Sequence, residues 1–198
     1  MFDMRVKDIV KATGGKLLCG DENTVVKDIC IDSRLIKEGD LFVPIIGAKV
    51  DAHRFIEGVM DVGAATLTSQ HNNIVISDKP YIQVHDTEKA LQDIGAYIRD
   101  RFNIPIIAVT GSVGKTTTRE MIAAALDESV HVYQTKGNYN SLVGTPITLS
   151  RMPEDTKLAV LELGIGNAGE MDILSHMVKP SIAVVTMIGV AHIEYLKT

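Results

Sequence analysis

A run of glycine, lysine and hydroxyl residues near the middle of the chain has the composition of a phosphate-binding loop. The apolar segment 104–109 leads into this run, and a segment with a helical apolar stripe follows it. Glycines let backbone amides approach phosphate oxygens, and a helix N-terminus adds unpaired N–H groups and the positive end of its dipole. Lys115 would reach the β- and γ-phosphates of a nucleotide, and the Thr116 hydroxyl would contact Mg²⁺. The predicted phosphate-binding residues are Gly111, Ser112, Val113, Gly114, Lys115, Thr116 and Thr117.

The loop is shorter than the common nucleotide-binding pattern, in which four residues separate the first glycine from the Gly-Lys pair. Here only Ser112 and Val113 separate Gly111 from Gly114. The alternative interpretation of this loop is a glycine turn that binds no phosphate and leaves Lys115 solvated. The strand before the loop and the helix after it favour phosphate binding.

Two further side chains are predicted at the same edge of a sheet. Glu162 ends the apolar run 158–161, and His192 comes shortly after the run 181–187. Ligands bind at the carboxyl ends of parallel strands, where these residues would lie. Glu162 could coordinate Mg²⁺, which prefers oxygen ligands, and His192 could ligate a metal or orient a phosphate. Taken alone, a carboxylate or a histidine in such a place is commonly structural.

The elements that must position these residues indicate an α/β protein in two parts. Residues 1–103 alternate short strands, one of them at 74–77, with helices at 6–13, 55–60 and 87–102. This pattern predicts a small mixed α/β domain. In residues 104–198, continuous apolar runs at 106–109, 157–163 and 181–187 are typical of strands buried on both faces. Helical segments at about 117–126 and 170–177 separate them. We therefore predict the first part of a doubly wound, mainly parallel sheet domain, with two clear helices after the loop.

Composition excludes several classes of protein. Of 198 residues, 45% are apolar and 23% charged, which fits a globular protein and not a disordered one. The net charge of −5 argues against nucleic-acid binding. No segment has the length or apolarity of a membrane span or signal peptide, and two lone cysteines fit a reducing compartment. We expect a cytoplasmic protein without membrane insertion.

Five segments together resemble the Mur ligase family. They are TGSVGKTTTREM, GNYNSLVGTPITL (137–149), LELGIGNAGEMD (161–172), TMIGVAHIE (186–194) and, in the first part, DSRLIKEGDLFVPIIGAKVDAHRFI (32–56). They cover both parts of the chain in the family's order. The resemblance implies that residues 1–103 bind a UDP-linked precursor and that residues 104–198 belong to a central ATP-binding domain.

The resemblance also implies a reaction and its residues. An ATP-dependent ligase of peptidoglycan precursor synthesis would join D-alanyl-D-alanine to UDP-N-acetylmuramoyl-tripeptide through an acyl phosphate. Lys115, Glu162 and His192 would be catalytic, with Mg²⁺ held by Thr116, Glu162 and His192. The substrate-contacting residues implied by the resemblance are Asp32, Ser33, Arg34, Asn138 and Asn140.

The chain departs from the family pattern in residues and in length. The family usually has asparagine where Val113 and Met187 stand, and its members continue well past Thr198. We therefore expect a portion of a longer, monomeric enzyme that binds nucleotide weakly and does not turn over by itself.

Two alternatives remain open. A sister ligase could add glutamate or a diamino acid, although the segment GNYNSLVGTP differs from the Thr-Thr-Pro element typical of the diamino-acid-adding relatives. A non-catalytic module could instead sense ATP or a UDP precursor and dock on a partner through an uncovered sheet face.

Overall fold

The computed structural model describes residues 4–70 and 78–189. The chain splits into two compact units, Met1–Ile94 and Gly95–Thr198. The division falls inside a helix, and the predicted domain boundary at residue 103 comes after that helix. A strand predicted at 74–77 lies outside the described residues, as does His192.

The first unit alternates short strands with helices. Its helices are α1 (Val6–Thr13), α2 (Ile56–Met60), which follows a 3-10 turn at Ala52–Phe55, and the start of α3 (Thr87–Arg99). Its strands in the described residues are β1 (Met4–Arg5), β2 (Lys16–Cys19), β3 (Val25–Val26), β4 (Asp28–Cys30), β5 (Asp40–Phe42), β6 (Ala65–Thr68) and β7 (Tyr81–Gln83).

Strand pairing in the first unit gives a sheet with both parallel and antiparallel pairs, within the mixed α/β domain that the sequence predicted. The main sheet has the order β2-β7-β6-β5-β4, in which β2 runs antiparallel to β7 and the other pairs are parallel. Leu41, Leu67 and Ile82, from its central strands, are fully buried. The apolar residues of each short strand thus supply the core that holds the unit together.

The second unit is built on parallel strands. After the end of α3 come β8 (Ile106–Thr110), β9 (Val132–Gln134), β10 (Leu158–Glu162) and β11 (Ile182–Val185). The helices between them are α4 (Lys115–Asp127), α5 (Gly144–Ser150) and α6 (Glu170–Val178). The strand order is β11-β8-β10-β9, with every pair parallel. The predicted α/β class with a parallel second sheet is confirmed.

The expectation of two helices after the phosphate loop is wrong, because α5 is a third. Its sequence, GTPITLS, carries β-branched residues and a proline, which are poor helix signals. Pro146 is the third residue of α5, within the first turn, where no helical acceptor exists for a backbone N–H. All seven residues of α5 are buried, so packing overrides the weak local propensity.

The edge strand β11 leaves apolar side chains in solvent. Ile182 and Val185 are each 55% exposed, and Ile188 just after the strand is 91% exposed. A strand of buried-type sequence therefore lies at one edge of the sheet that the described residues form. In the described part of the chain, no helix has both the length and the apolarity that crossing a bilayer requires.

Candidate functional site

The loop between β8 and α4 turns on two glycines with left-handed backbone conformations. Gly111 has φ +130° and Gly114 has φ +83°, and α4 begins at the next residue. A Cβ on Gly111 would lie 2.3 Å from the Thr186 hydroxyl oxygen. Only glycine fits there, because both the conformation and the space exclude a side chain.

The loop amides fall into two groups. The Ser112 N–H donates to the Met187 carbonyl at 2.8 Å, and the Ser112 hydroxyl bonds the backbone of Gly189 in both directions at 3.0 Å. The amide of Ser112 is therefore already used. Among the described residues, none accepts a hydrogen bond from the backbone amides of Val113, Gly114, Lys115 and Thr116. These four groups remain free to bind an anion at the helix N-terminus.

The departure from the family pattern at Met187 has a structural explanation. Met187 meets the loop through its backbone carbonyl, so the identity of its side chain does not affect that hydrogen bond. The Thr186 hydroxyl donates to the carbonyls of Val113 (2.6 Å) and Thr110 (3.1 Å), which joins the end of β11 to the loop. The loop is thus held from the β11 side by the Met187 carbonyl and the Thr186 hydroxyl.

Lys115 folds back over its own loop. Its ammonium donates to the Gly111 carbonyl at 2.8 Å, and the side chain is half-buried. Lysine is a flexible point charge, so its ammonium can leave a neutral carbonyl for a phosphate oxygen. The structure therefore places the predicted cation at the mouth of the loop.

Glu162 lies at the end of β10, beside the loop. It pairs in register with Val109 of β8, and it is 4% exposed. Its Oε2 accepts a hydrogen bond from the Thr116 hydroxyl at 2.8 Å, and its Oε1 accepts one from the Asn140 amide at 2.8 Å. Parallel pairing of β8 and β10 brings these residues together, as the sequence predicted from strand ends.

The two asparagines of the 137–149 segment differ in position. Asn140 contacts the Glu162 carboxylate through its side chain, and its carbonyl accepts the Gly164 N–H at 2.8 Å. The Asn138 side chain is exposed, and its carbonyl accepts the Asn140 N–H. Asn140 therefore belongs to the carboxylate cluster, whereas substrate contact by either asparagine remains a prediction.

Sequence reasoning missed Arg119. This arginine is 5% exposed, and its Nη1 lies 3.6 Å from Glu162 Oε2. A signal was present, since Arg119 stands three residues after Thr116 on α4 and residues at that spacing share a helix face. The segment TGSVGKTTTREM contains Arg119, but the phosphate-loop pattern gives that position no role.

The donor set at the loop fits Mg²⁺. The Thr116 hydroxyl and the Glu162 carboxylate supply hard oxygen ligands within one hydrogen bond of each other. No cluster of three or more His, Cys, Asp and Glu side chains able to hold a metal occurs in residues 4–70 and 78–189. Mg²⁺ is commonly bound by one or two protein oxygens together with substrate phosphates, so a full protein cage is not required. His192, the third predicted ligand, lies outside the described residues.

The predicted substrate residues of the first unit line a cavity of about 570 Å³. Arg34 holds Asp32 by a double contact, from Nε to Oδ1 at 2.9 Å and from Nη2 to Oδ2 at 2.6 Å. These hydrogen bonds from Arg34 lower the pKa of Asp32 to about 2. The cavity walls are formed by Ile31, Asp32, Ser33, Arg34, Val50, Ala52 and Phe55.

A second cavity in the first unit, of about 480 Å³, was not predicted. His53 lies in its wall, with Nδ1 2.7 Å from Asp51 Oδ1, and its Nε2 accepts the Ser69 N–H at 3.0 Å. Tyr81 also lines it, with a buried hydroxyl that has no hydrogen-bond partner among the described residues. Burial raises the pKa of Tyr81. The Asp51-x-His53 spacing was the available signal.

Curated relatives and solved structures are similar to this chain over nearly its whole length. The UDP-N-acetylmuramoyl-tripeptide–D-alanyl-D-alanine ligase of Bacillus subtilis is 37% identical over 99% of this chain and 43% of its own length. Among solved structures, MurF from Acinetobacter baumannii has a TM-score of 0.90 and 33% identity, covering 98% of this chain and 43% of that one. MurF ligase from Thermotoga maritima in complex with ADP has a TM-score of 0.77 and 28% identity, covering 85% and 39%.

Family models match both units in order. Residues 25–99 match the model described as Mur ligase family, catalytic domain, and residues 109–198 match the Mur ligase middle domain. The chain spans about two fifths of the length of the curated relatives it matches. With two successive models of one family and relatives of that family along its whole length, the chain belongs to the Mur ligases.

Proposed function

We propose that this chain is the precursor-binding and ATP-binding portion of a ligase that joins D-alanyl-D-alanine to UDP-N-acetylmuramoyl-tripeptide. One observation carries the proposal. The four free loop amides, the Lys115 ammonium and the paired Thr116 and Glu162 side chains converge at one edge of a parallel sheet. That arrangement suits phosphoryl transfer, which depends on positioning and charge neutralisation.

In the proposed reaction, a carboxylate oxygen of the tripeptide attacks the γ-phosphorus of ATP, and ADP leaves. The amine of D-alanyl-D-alanine then attacks the acyl phosphate carbon, phosphate leaves and the amine loses a proton. Lys115 holds the transferring phosphoryl group by charge, and the amides of residues 113–116 hold the other phosphate oxygens. Mg²⁺, held by Thr116 and Glu162 with His192 as a proposed third ligand, would neutralise phosphate charge.

The first unit is proposed to bind the UDP-linked substrate. The support is its cavity at Asp32, Ser33 and Arg34, together with the substrate named in its relatives. Because Arg34 is already paired with Asp32, the pair would act as a unit with both hydrogen-bond donors and acceptors. We propose that the full-length enzyme is cytoplasmic, since its substrates are ATP and a nucleotide-linked precursor. We also propose that it is monomeric.

A nucleotide-sensing module is the second candidate function. It is favoured by the exposure of Ile182, Val185 and Ile188 along β11, which would give a partner an apolar surface. In that case the chain would bind ATP or the UDP precursor and a separate protein would cover β11. Both candidate functions predict that this chain binds nucleotide. Only the ligase predicts that the full-length protein performs ligation, so that activity distinguishes the two.

The proposal is tested by titrating the chain with MgADP. Lys115→Ala should weaken binding roughly 10- to 100-fold, the range for losing a hydrogen bond from a charged donor. Lys157→Ala is the matched control, because that exposed lysine precedes β10 at the end of the strand opposite Glu162. Equal affinities for the wild type and Lys115→Ala, or no binding by the wild type, would contradict the proposal.

A further inference from the structure

A buried arginine next to the proposed magnesium site is only partly hydrogen-bonded. Arg119 lies on α4, and its side chain is 6% exposed. Its Nη2 donates to Glu120 Oε1 at 3.0 Å, but the Glu120 side chain is 61% exposed, so solvent weakens that pair. Arg119 Nε and Nη1 have no hydrogen-bond partner among the described residues.

Unsatisfied buried guanidinium donors are uncommon, because each loses its hydrogen bonds to water without replacement. A second carboxylate, the buried one of Glu162, lies with its Oε2 3.6 Å from Arg119 Nη1. That separation is an ion pair but exceeds a hydrogen bond. A shift of under about 1 Å would convert it into one, so a small movement of either side chain would satisfy one orphaned donor.

The two oxygens of Glu162 are held from different elements. Oε1 accepts the Asn140 amide, and Oε2 accepts the Thr116 hydroxyl and faces the Arg119 guanidinium. Residues that hold a metal-ligating carboxylate fix its direction, and their loss commonly weakens metal binding by 10- to 100-fold. Arg119 is the charged member of this set, so its attraction for the carboxylate is the strongest.

We propose that Arg119 is a positioning residue that holds the Glu162 carboxylate toward Thr116 for magnesium-dependent nucleotide binding. The inference rests on the proposed function, since it assigns a role within that same site. Arg119 acts through Glu162 and makes no contact with nucleotide in this role. Its effect should therefore appear only in the part of nucleotide affinity that Mg²⁺ provides.

The test measures ADP affinity by calorimetry in saturating Mg²⁺ and again in EDTA. The ratio is the affinity in Mg²⁺ divided by the affinity in EDTA. In Arg119→Met the ratio should fall about tenfold while the affinity in EDTA stays unchanged. Arg119→Lys retains a charged donor and should keep the ratio within about threefold of the wild type. Glu120→Gln is the control, because it removes the exposed partner of Arg119 and leaves Glu162 in place; its ratio should equal the wild-type ratio.

Three outcomes separate the possibilities. An unchanged ratio in Arg119→Met, or equal losses in EDTA and in Mg²⁺, contradicts the positioning role and leaves the proposed function intact. A wild type whose ADP affinity does not respond to Mg²⁺ contradicts the proposed function itself. If Arg119→Met does not fold, as judged by circular dichroism, Arg119→Gln replaces it, and a ratio equal to that of Arg119→Lys overturns the inference.

Discussion

Two regions of the second unit each bury a guanidinium group, and their surroundings differ. Arg99, at the end of α3, donates to four backbone carbonyls, those of Val178, Phe102, Ile104 and Lys179, at 2.6 to 3.3 Å. Arg119 is buried to a similar degree, yet within residues 4–70 and 78–189 it donates a single hydrogen bond, to the exposed Glu120. The degree of burial alone therefore does not indicate the role of an arginine.

The difference separates a structural role from a functional one. The carbonyls around Arg99 belong to two chain segments, 102–104 and 178–179, which it ties together. Burial lowers the pKa of Arg99. Arg119 instead keeps unused donors beside an acid at the sheet edge where we propose that nucleotide binds. Incomplete hydrogen bonding is expected at sites that complete their contacts only when a ligand is present.

The largest expected effect on stability comes from removing Arg99. Arg99→Met would leave four backbone carbonyls, two in buried and two in part-buried hydrogen bonds, without their donor. It should lower the free energy of unfolding by about 3 kcal/mol. Arg101→Ala is the control, since this exposed arginine is on the adjacent segment and lies 5.9 Å from the Tyr97 ring centroid. Urea unfolding measures both; equal stabilities would mean that the carbonyl contacts of Arg99 contribute little.

Removing Arg119 should destabilise the chain less. Arg119→Met eliminates two unsatisfied donors along with the ion pair, and Glu162 keeps its hydrogen bonds from Thr116 and Asn140. Because Glu162 stays hydrogen-bonded, we expect a loss of about 1 kcal/mol in the same urea experiment, the usual size for a point substitution. A loss as large as that of Arg99→Met would show that the two arginines are equally structural and would remove the distinction between the regions.

A double substitution isolates the interaction of Arg119 with Glu162. Arg119→Met combined with Glu162→Gln removes both charges, so neither is left buried without its partner. The double variant should be more stable, by about 1 kcal/mol, than the sum of the two single losses predicts. Additive losses would indicate that the 3.6 Å contact carries no coupling energy.

The smallest effect concerns an exposed guanidinium, that of Arg34. Arg34→Gln should raise the pKa of Asp32 from about 2 toward its ordinary value, while the backbone N–H of residue 34 still donates to Oδ1. Because Asp32 has a lower pKa in the folded state than the ordinary value of about 3.9, its contribution to stability is present above that value. The contribution is lost as the pH falls through about 2.

The Asp32 titration is followed by NMR of the side-chain carboxyl. Arg54→Gln is the control, since this exposed arginine stacks near Phe55 and not on Asp32. A pKa of Asp32 that stays near 2 in Arg34→Gln would assign the shift to the backbone amide alone.

Much of the second unit followed from the sequence. The strand into the loop, the helix after it and the strand ending at Glu162 are confirmed, because continuous apolar runs and glycine punctuation are local signals. The roles of the site residues stay predictions. The sequence also indicated the α1 end at Gly14, whose left-handed φ of 62° is the usual glycine signal there.

Other features were missed because their causes are not local. The sequence did not predict α5, because its residues become helical only when burial outweighs their weak helix propensity. The short strand β9 forms by pairing with β10, which no local pattern of three residues could indicate. The His53 cavity in the first unit depends on side chains from distant segments.

Local sequence determined the loop, its glycines and the hydroxyl and ammonium groups that follow, because backbone conformation and helix initiation depend on neighbouring residues. Tertiary structure alone decided which partners those groups have. Parallel pairing of β8 with β10 brings Glu162 to Thr116, and the turn of α4 brings Arg119 to the same carboxylate. The physical reason is that hydrogen bonds and ion pairs act over a few ångströms, a distance that only chain folding closes between residues 46 positions apart.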